Sequence, residues 1–162
     1  MSEITPATQP VGDQASTERH EAPIAPEAAE STRDPIILGF LCEWAANMNG
    51  LLDADGVVQG MPNVRCIKIP CSGMTKPAWL EMAMKQGADG VFVCGCPIVD
   101  CHFREGNVFI RDRMYSRRTP KPKRLDAARM RGYWYEALET DKLMDDLRQF
   151  TAELKGLIAA GK

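Results

Sequence analysis

Three short apolar runs of strand length occur in the first two thirds of the chain. They cover residues 36–41 (IILGFL), 64–69 (VRCIKI) and 90–94 (GVFVC). Runs of this kind are typical of parallel strands that are buried on both faces of a sheet. A fourth strand is predicted within residues 131–137, around three consecutive aromatic side chains. The pattern therefore predicts a mostly parallel, four-stranded sheet.

Amphipathic segments between and after these strands predict helices. After the second strand, Ser72 or Thr75 is placed to cap a helix whose first turn contains Pro77. Residues 105–118 are predicted to form another helix, whereas residues 43–52 fit either a helix or a loop. The last segment carries apolar side chains at spacings of four and three residues: Leu143, Leu147, Phe150, Leu154 and Leu157. Together these elements predict a three-layer α/β fold of the flavodoxin or Rossmann type.

The first 34 residues differ in composition from the rest of the chain. They are rich in Ala, Pro, Glu, Ser and Thr and contain no aromatic residue. The seven acids are Glu3, Asp13, Glu18, Glu21, Glu27, Glu30 and Asp34, and the two bases are Arg19 and Arg33. Such a segment buries too little apolar surface to offset the entropy of ordering. We predict a disordered acidic tail over residues 1–34, either a solvated leader or a segment that orders on a partner, before a single domain over residues 35–162.

Composition narrows the class of protein. Hydrophobic residues make up 44%, charged residues 26%, and the formal net charge is -2, which is an ordinary globular balance. No apolar run reaches the roughly 20 residues of a membrane helix, and the N-terminus has no secretory signal. We therefore expect a cytoplasmic protein without a membrane span, in a compartment where disulfides are rare. Six cysteines in such a chain indicate metal binding or redox chemistry.

Four cysteines come directly after predicted strands. Cys42 follows the first strand, Cys71 follows the second, and Cys96 and Cys101 lie in the loop after the third. The carboxyl ends of parallel strands lie along one edge of the sheet, where ligand sites of open α/β folds form. Topology therefore predicts that these cysteines meet. Four thiolates at one site suit either zinc or an iron–sulfur cluster.

The other two cysteines and a histidine fit supporting roles. Cys66 and Cys94 lie inside predicted strands, where free cysteine commonly serves as a small apolar residue, and Cys94 is kept as a reserve ligand. The chain has no Cys-x-x-Cys pair, which lowers the case for a zinc-stabilised binding module and for a thiol oxidoreductase. Both alternatives stay open. His102 fits a hydrogen-bond donor to the site better than a ligand.

Several stretches resemble, in order, the methyl-viologen-reducing hydrogenase delta subunit family over about residues 36–111. They are residues 39–44 (GFLCEW), 62–65 (PNVR), 70–73 (PCSG), 87–93 (GADGVFV), 95–96 (GC), 100–103 (DCHF) and 106–107 (GN). The resemblance implies an iron–sulfur electron-transfer subunit with one [2Fe-2S] cluster and no catalytic residue of its own. The implied metal ligands are Cys42, Cys71, Cys96 and Cys101. Ala45 stands where family members commonly carry a fifth cysteine.

The resemblance also implies partners. In the family, the protein passes electrons between a hydrogenase or formate dehydrogenase and a flavin-bearing subunit like that of heterodisulfide reductase. We therefore expect partner subunits that carry flavin and iron–sulfur groups. Backbone N–H groups of Ser72, Gly73 and Gly95 are expected to donate to cluster sulfurs. Asp100 and His102 are expected to tune the local charge.

Residues 111–131 form a strongly basic segment. Its nine bases are Arg111, Arg113, Arg117, Arg118, Lys121, Lys123, Arg124, Arg129 and Arg131, and its two acids are Asp112 and Asp126. The segment is predicted to be exposed, as a solvated surface or as a contact for an acidic partner, the acidic tail or nucleic acid. Aromatic side chains are sparse within it. We therefore expect a protein partner and no nucleic acid.

Overall fold

A mixed sheet of five strands forms the centre of the protein in the computed structural model, which describes residues 33–161. The strands are β1 (Ile37–Cys42), β2 (Val57–Val58), β3 (Met61–Ile69), β4 (Gly90–Gly95) and β5 (Met130–Trp134), in the spatial order β2-β3-β1-β4-β5. The four predicted strands are present and parallel, whereas β2 pairs antiparallel with β3. The prediction of a four-stranded sheet was wrong by this one strand, because two residues are too few to show a period.

Three helices cover the two faces of the sheet. They are α1 (Pro77–Lys85), α2 (Gly106–Met114) and α3 (Thr140–Ala159). The helices α1 and α2 contribute to one apolar cluster and α3 to another on the opposite face, so the fold is a three-layer α/β arrangement. Short 3-10 turns occupy Ser72–Met74 and Ala127–Arg129. Residues 43–52 form turns, not a helix.

The central strand β4 shows why its sequence is apolar throughout. All six of its residues are buried. Val91 and Val93 pack in the cluster with α1 and α2, while Phe92 and Cys94 pack in the cluster with α3. Successive side chains of a strand point to opposite faces, so a strand covered on both sides has no position for a polar residue.

The predicted tail lies outside the described residues except for its last two positions. Arg33 forms a salt bridge with Asp89, at 2.6 Å, and Asp34 pairs with Lys155, at 2.5 Å. Asp89 is buried just before β4 and also accepts a hydrogen bond from the Ile36 N–H at 2.8 Å. Burial opposes ionisation of Asp89, but its bonds to Arg33 and Ile36 outweigh burial and lower the pKa of the carboxyl group.

Replacing Asp89 with alanine is expected to lower the free energy of unfolding by about 2 kcal/mol near neutral pH, because a buried N–H and a cation lose their acceptor. A carboxyl group with a lowered folded pKa stabilises the protein above its unfolded pKa of about 4, and this stabilisation is lost as the pH falls through the folded value. Urea denaturation of both proteins at about pH 7 and about pH 3 measures the effect. A difference that does not shrink in acid would contradict this assignment.

Candidate metal centre

The four predicted ligand cysteines lie at the carboxyl edge of the parallel strands. Cys42 is the last residue of β1, and Cys71 follows β3 after Pro70. Cys96 follows β4 directly, and Cys101 lies in the loop that leads to α2. The parallel register places the ends of β1, β3 and β4 side by side. The structure therefore brings together the residues that topology predicted.

Cys42 and Cys96 form the more buried of two cysteine pairs. Their sulfur atoms are 4.0 Å apart, and the residues are 2% and 3% exposed. The Cys42 thiol donates to the Pro70 carbonyl at 3.8 Å, and the Cys96 thiol donates to the Trp44 carbonyl at 3.5 Å. Burial, together with the neighbouring Cys42 sulfur, raises the pKa of Cys96 to about 11. This pair is held among apolar side chains, with little access for water.

Cys71 and Cys101 form the second pair, joined by a side-chain hydrogen bond. Burial raises the pKa of Cys71, and the nearby sulfurs of Cys101 and Cys42 raise it further. Cys101 is partly exposed. Its burial opposes ionisation, but backbone donors outweigh burial and lower the pKa of its thiol. Within the second pair, Cys101 is therefore the better stabilised thiolate.

Backbone N–H groups point at three of the four sulfurs. Gly73 donates to Cys71, and His102 donates to Cys96. Cys101 accepts from three residues, which are Phe103, Gly106 and Asn107. Clusters of backbone N–H groups of this kind bind anions and are common at iron–sulfur sites. The arrangement stabilises negative charge on sulfur.

Two glycines allow the backbone around this site to approach closely. A Cβ atom on Gly106 would lie 2.5 Å from the Cys71 sulfur, and one on Gly73 would lie 2.6 Å from the Gly106 Cα. Contacts under about 3 Å between such atoms are repulsive. The start of α2 is therefore packed directly against the turn that carries Cys71.

A tight turn and a buried amide set the course of the chain between Cys96 and Cys101. The Asp100 N–H donates to the Pro97 carbonyl at 3.0 Å, and Val99 has a φ of 77°. A β-branched residue seldom adopts this left-handed conformation, which is strained. The side chain of Asn107, fully buried, donates to the carbonyls of Cys96 and Pro97 at 3.1 and 2.6 Å. Asn107 thus ties this loop to α2.

The other predicted site residues act in different ways. Gly73 supplies an N–H, as predicted, whereas the Ser72 hydroxyl is buried without a hydrogen-bond partner among the described residues. Gly95 has a steric role, since a Cβ there would lie 2.6 Å from the Ser72 Oγ. His102 donates through its backbone, while its ring stacks on Trp44 with centroids 3.5 Å apart.

Cys66, Cys94 and Ala45 lie in the apolar cluster on the α3 side of the sheet. Burial raises the pKa of Cys66 to about 12 and also raises that of Cys94. Ala45, where the family commonly has a cysteine, is 1% exposed and donates its N–H to the Cys42 carbonyl at 3.1 Å. These three positions are part of the packed core.

Sequence analysis missed the donors from Phe103, Gly106 and Asn107. The Gly106-Asn107 pair was noticed only as part of the family resemblance, and that pair was the available signal. Among the described residues, no group of three or more Cys, His, Asp or Glu side chains has the arrangement of a site for one metal ion. Within residues 33–161, no helix combines the length and apolarity that crossing a membrane requires.

Comparison with known proteins is consistent over most of the chain. An iron-sulfur subunit of the F420-non-reducing hydrogenase from Archaeoglobus profundus is 31% identical over 129 residues, covering 76% of this chain and 91% of that protein. A large subunit of the ferredoxin/F(420)H(2)-dependent CoB-CoM heterodisulfide reductase from Methanosarcina acetivorans is 31% identical over 135 residues, which is 83% of this chain. The chain spans only 17% of the length of that relative and of a similar one from Methanosarcina mazei. The model of the methyl-viologen-reducing hydrogenase delta subunit family matches residues 37–157, and the chain belongs to this family.

Proposed function

We propose that this chain is an iron–sulfur electron-transfer subunit of a multisubunit oxidoreductase. In this proposal Cys42, Cys71, Cys96 and Cys101 bind a [2Fe-2S] cluster. The observation that carries the proposal is the meeting of four cysteines and five backbone N–H donors at one sheet edge. When bound, a cluster of this type accepts and releases one electron.

The residues present fit this group. Four cysteine thiolates are the usual ligand set of a [2Fe-2S] cluster, and the cysteines lie here as two pairs. Burial and mutual repulsion disfavour thiolates at Cys71 and Cys96, so these side chains ionise readily only beside positive charge. The buried Ser72 hydroxyl next to Cys71 is a further donor without a described partner.

The chain itself contributes position, burial and hydrogen bonds. Asn107 and the turn at Val99 hold the loop between Cys96 and Cys101 in place. The packing around Cys42 and Cys96 excludes water from one pair of sulfurs. N–H donors to sulfur favour the more negative, reduced state and so raise the reduction potential.

We further propose that the electrons pass between a hydrogenase- or dehydrogenase-type partner and a flavin-bearing partner that resembles the matched heterodisulfide reductase protein. The alignment with the Methanosarcina acetivorans protein supports this partner. It covers 83% of this chain within 17% of that protein, so a segment similar to this chain is part of the same polypeptide there. A domain that is fused in one protein and separate in another commonly contacts the same neighbour in both.

The two alternative functions make different demands on the cysteines. A thiol oxidoreductase needs an accessible thiol with a lowered pKa, but Cys42 and Cys96 are almost fully buried and the pKa of Cys96 is raised. A zinc-stabilised binding module would use the same four sulfurs, and metal analysis separates it from the proposed cluster.

Anaerobic purification followed by metal analysis tests the proposal. We expect about two iron and about two acid-labile sulfide per chain, as a [2Fe-2S] cluster requires. Reduction with dithionite should produce an EPR signal of one unpaired electron. Stoichiometric zinc without iron or sulfide would refute the cluster, and a reversible disulfide found by thiol counting would support the oxidoreductase instead.

A further inference from the structure

A hollow of about 720 Å³ opens beside the candidate metal centre, and Cys71 forms part of its wall. Met74 and Phe103 line it and are each 52% exposed, although both are large apolar side chains. Phe109 lines the hollow from α2. Apolar side chains exposed together around a recess mark sites of protein interaction. This face gives a docked protein a short path to Cys71.

The rim of this hollow is positively charged. Arg104 lines it, and the Arg118 guanidinium lies 4.2 Å from the centre of the Phe109 ring. Arg117, next in the exposed basic segment, lies over Tyr115. None of the six ion pairs found within residues 33–161 uses any of these three arginines. Their charge therefore remains available to an acidic surface.

We propose, on the basis of the proposed function, that this hollow and its arginines are the docking site of an acidic electron-transfer protein. An apolar side chain of the partner enters the hollow between Met74 and Phe103, and carboxylates around it pair with Arg117 and Arg118. Charge complementarity of this kind steers encounter and fixes orientation. A redox protein is favoured over nucleic acid because the hollow adjoins Cys71, and electron transfer depends on that closeness.

Binding of a purified acidic ferredoxin tests the proposal, with the metal-loaded protein kept anaerobic. The rim variant is Arg117→Glu with Arg118→Glu. The matched control is Lys142→Glu with Arg148→Glu, which makes the same charge change on α3, where the two side chains are 65% and 60% exposed. We expect the rim variant to weaken binding about tenfold or more and the control by less than about threefold. Phe103→Ser should weaken binding with little change in its salt dependence.

Iron content and the EPR signal should be the same in all variants, because none of these residues is a proposed metal ligand. Missing iron in the unmodified protein would refute the cluster, whereas the docking site is judged by the binding constants alone. Equal weakening by the rim and control variants would overturn the docking site, as would no binding of ferredoxin. Binding of single-stranded RNA that depends on the same two arginines would also overturn it.

Discussion

Replacing Cys71 with alanine is expected to remove nearly all iron from the anaerobically purified protein, whereas replacing Cys66 with alanine leaves the iron content unchanged. The two cysteines belong to the same part of the chain and are similarly buried, at 7% and 5% exposure. They differ in place, since Cys71 lies with Cys101 at the sheet edge and Cys66 lies inside β3. A [2Fe-2S] cluster has no spare ligand in this chain, because Ala45 occupies the position of the fifth family cysteine.

Iron per chain and visible absorbance measure this difference directly. Circular dichroism of both variants shows whether the fold is retained, and Cys66→Ala serves as the control for removal of a buried sulfur. Equal iron content in the two variants would show that the ligand assignment is wrong. Loss of iron in Cys66→Ala alone would place the cluster on the other side of the sheet, near Cys94.

The positions of the cysteines were predictable because strand direction and burial leave strong signals in sequence. Apolar runs located β1, β3 and β4 within a few residues, and parallel pairing then placed all their carboxyl ends at one edge. Cys42, Cys71 and Cys96 follow from this rule alone. The aromatic triplet around Tyr133 likewise marked β5, which completes the parallel part of the sheet.

The hydrogen bonds of the site were not predictable in the same way. The donors to Cys101 are backbone groups, whose direction depends on loop conformation and not on side-chain type. The loop also contains Val99 in a left-handed conformation, against the preference of its side chain. The fixed point of the loop is the amide of Asn107, ten residues after Pro97, and no local sequence period reveals that contact. Such details arise from tertiary packing.

Replacing Gly106 with alanine is expected to reduce iron retention about tenfold or more while the secondary structure is preserved. Gly106 is the first residue of α2, so alanine suits its backbone, but the new Cβ would lie 2.5 Å from the Cys71 sulfur. Either Cys71 or the start of α2 must then move by about 1 Å. That movement shifts a ligand and also the Gly106 and Asn107 N–H groups that donate to Cys101, and losing such supporting contacts commonly costs metal sites ten- to a hundredfold in affinity.

Gly156→Ala is the matched control, because it makes the same substitution inside α3 at a position where a Cβ meets nothing within 4 Å. Alanine is favoured over glycine inside a helix by about 1 kcal/mol, so this variant should be slightly more stable and keep its iron. Iron release to a chelator, followed over time by absorbance, compares the two variants with the unmodified protein. Unchanged release from Gly106→Ala would mean that Cys71 does not hold the metal, whereas faster release at equal unfolding free energy would locate the effect at the site itself.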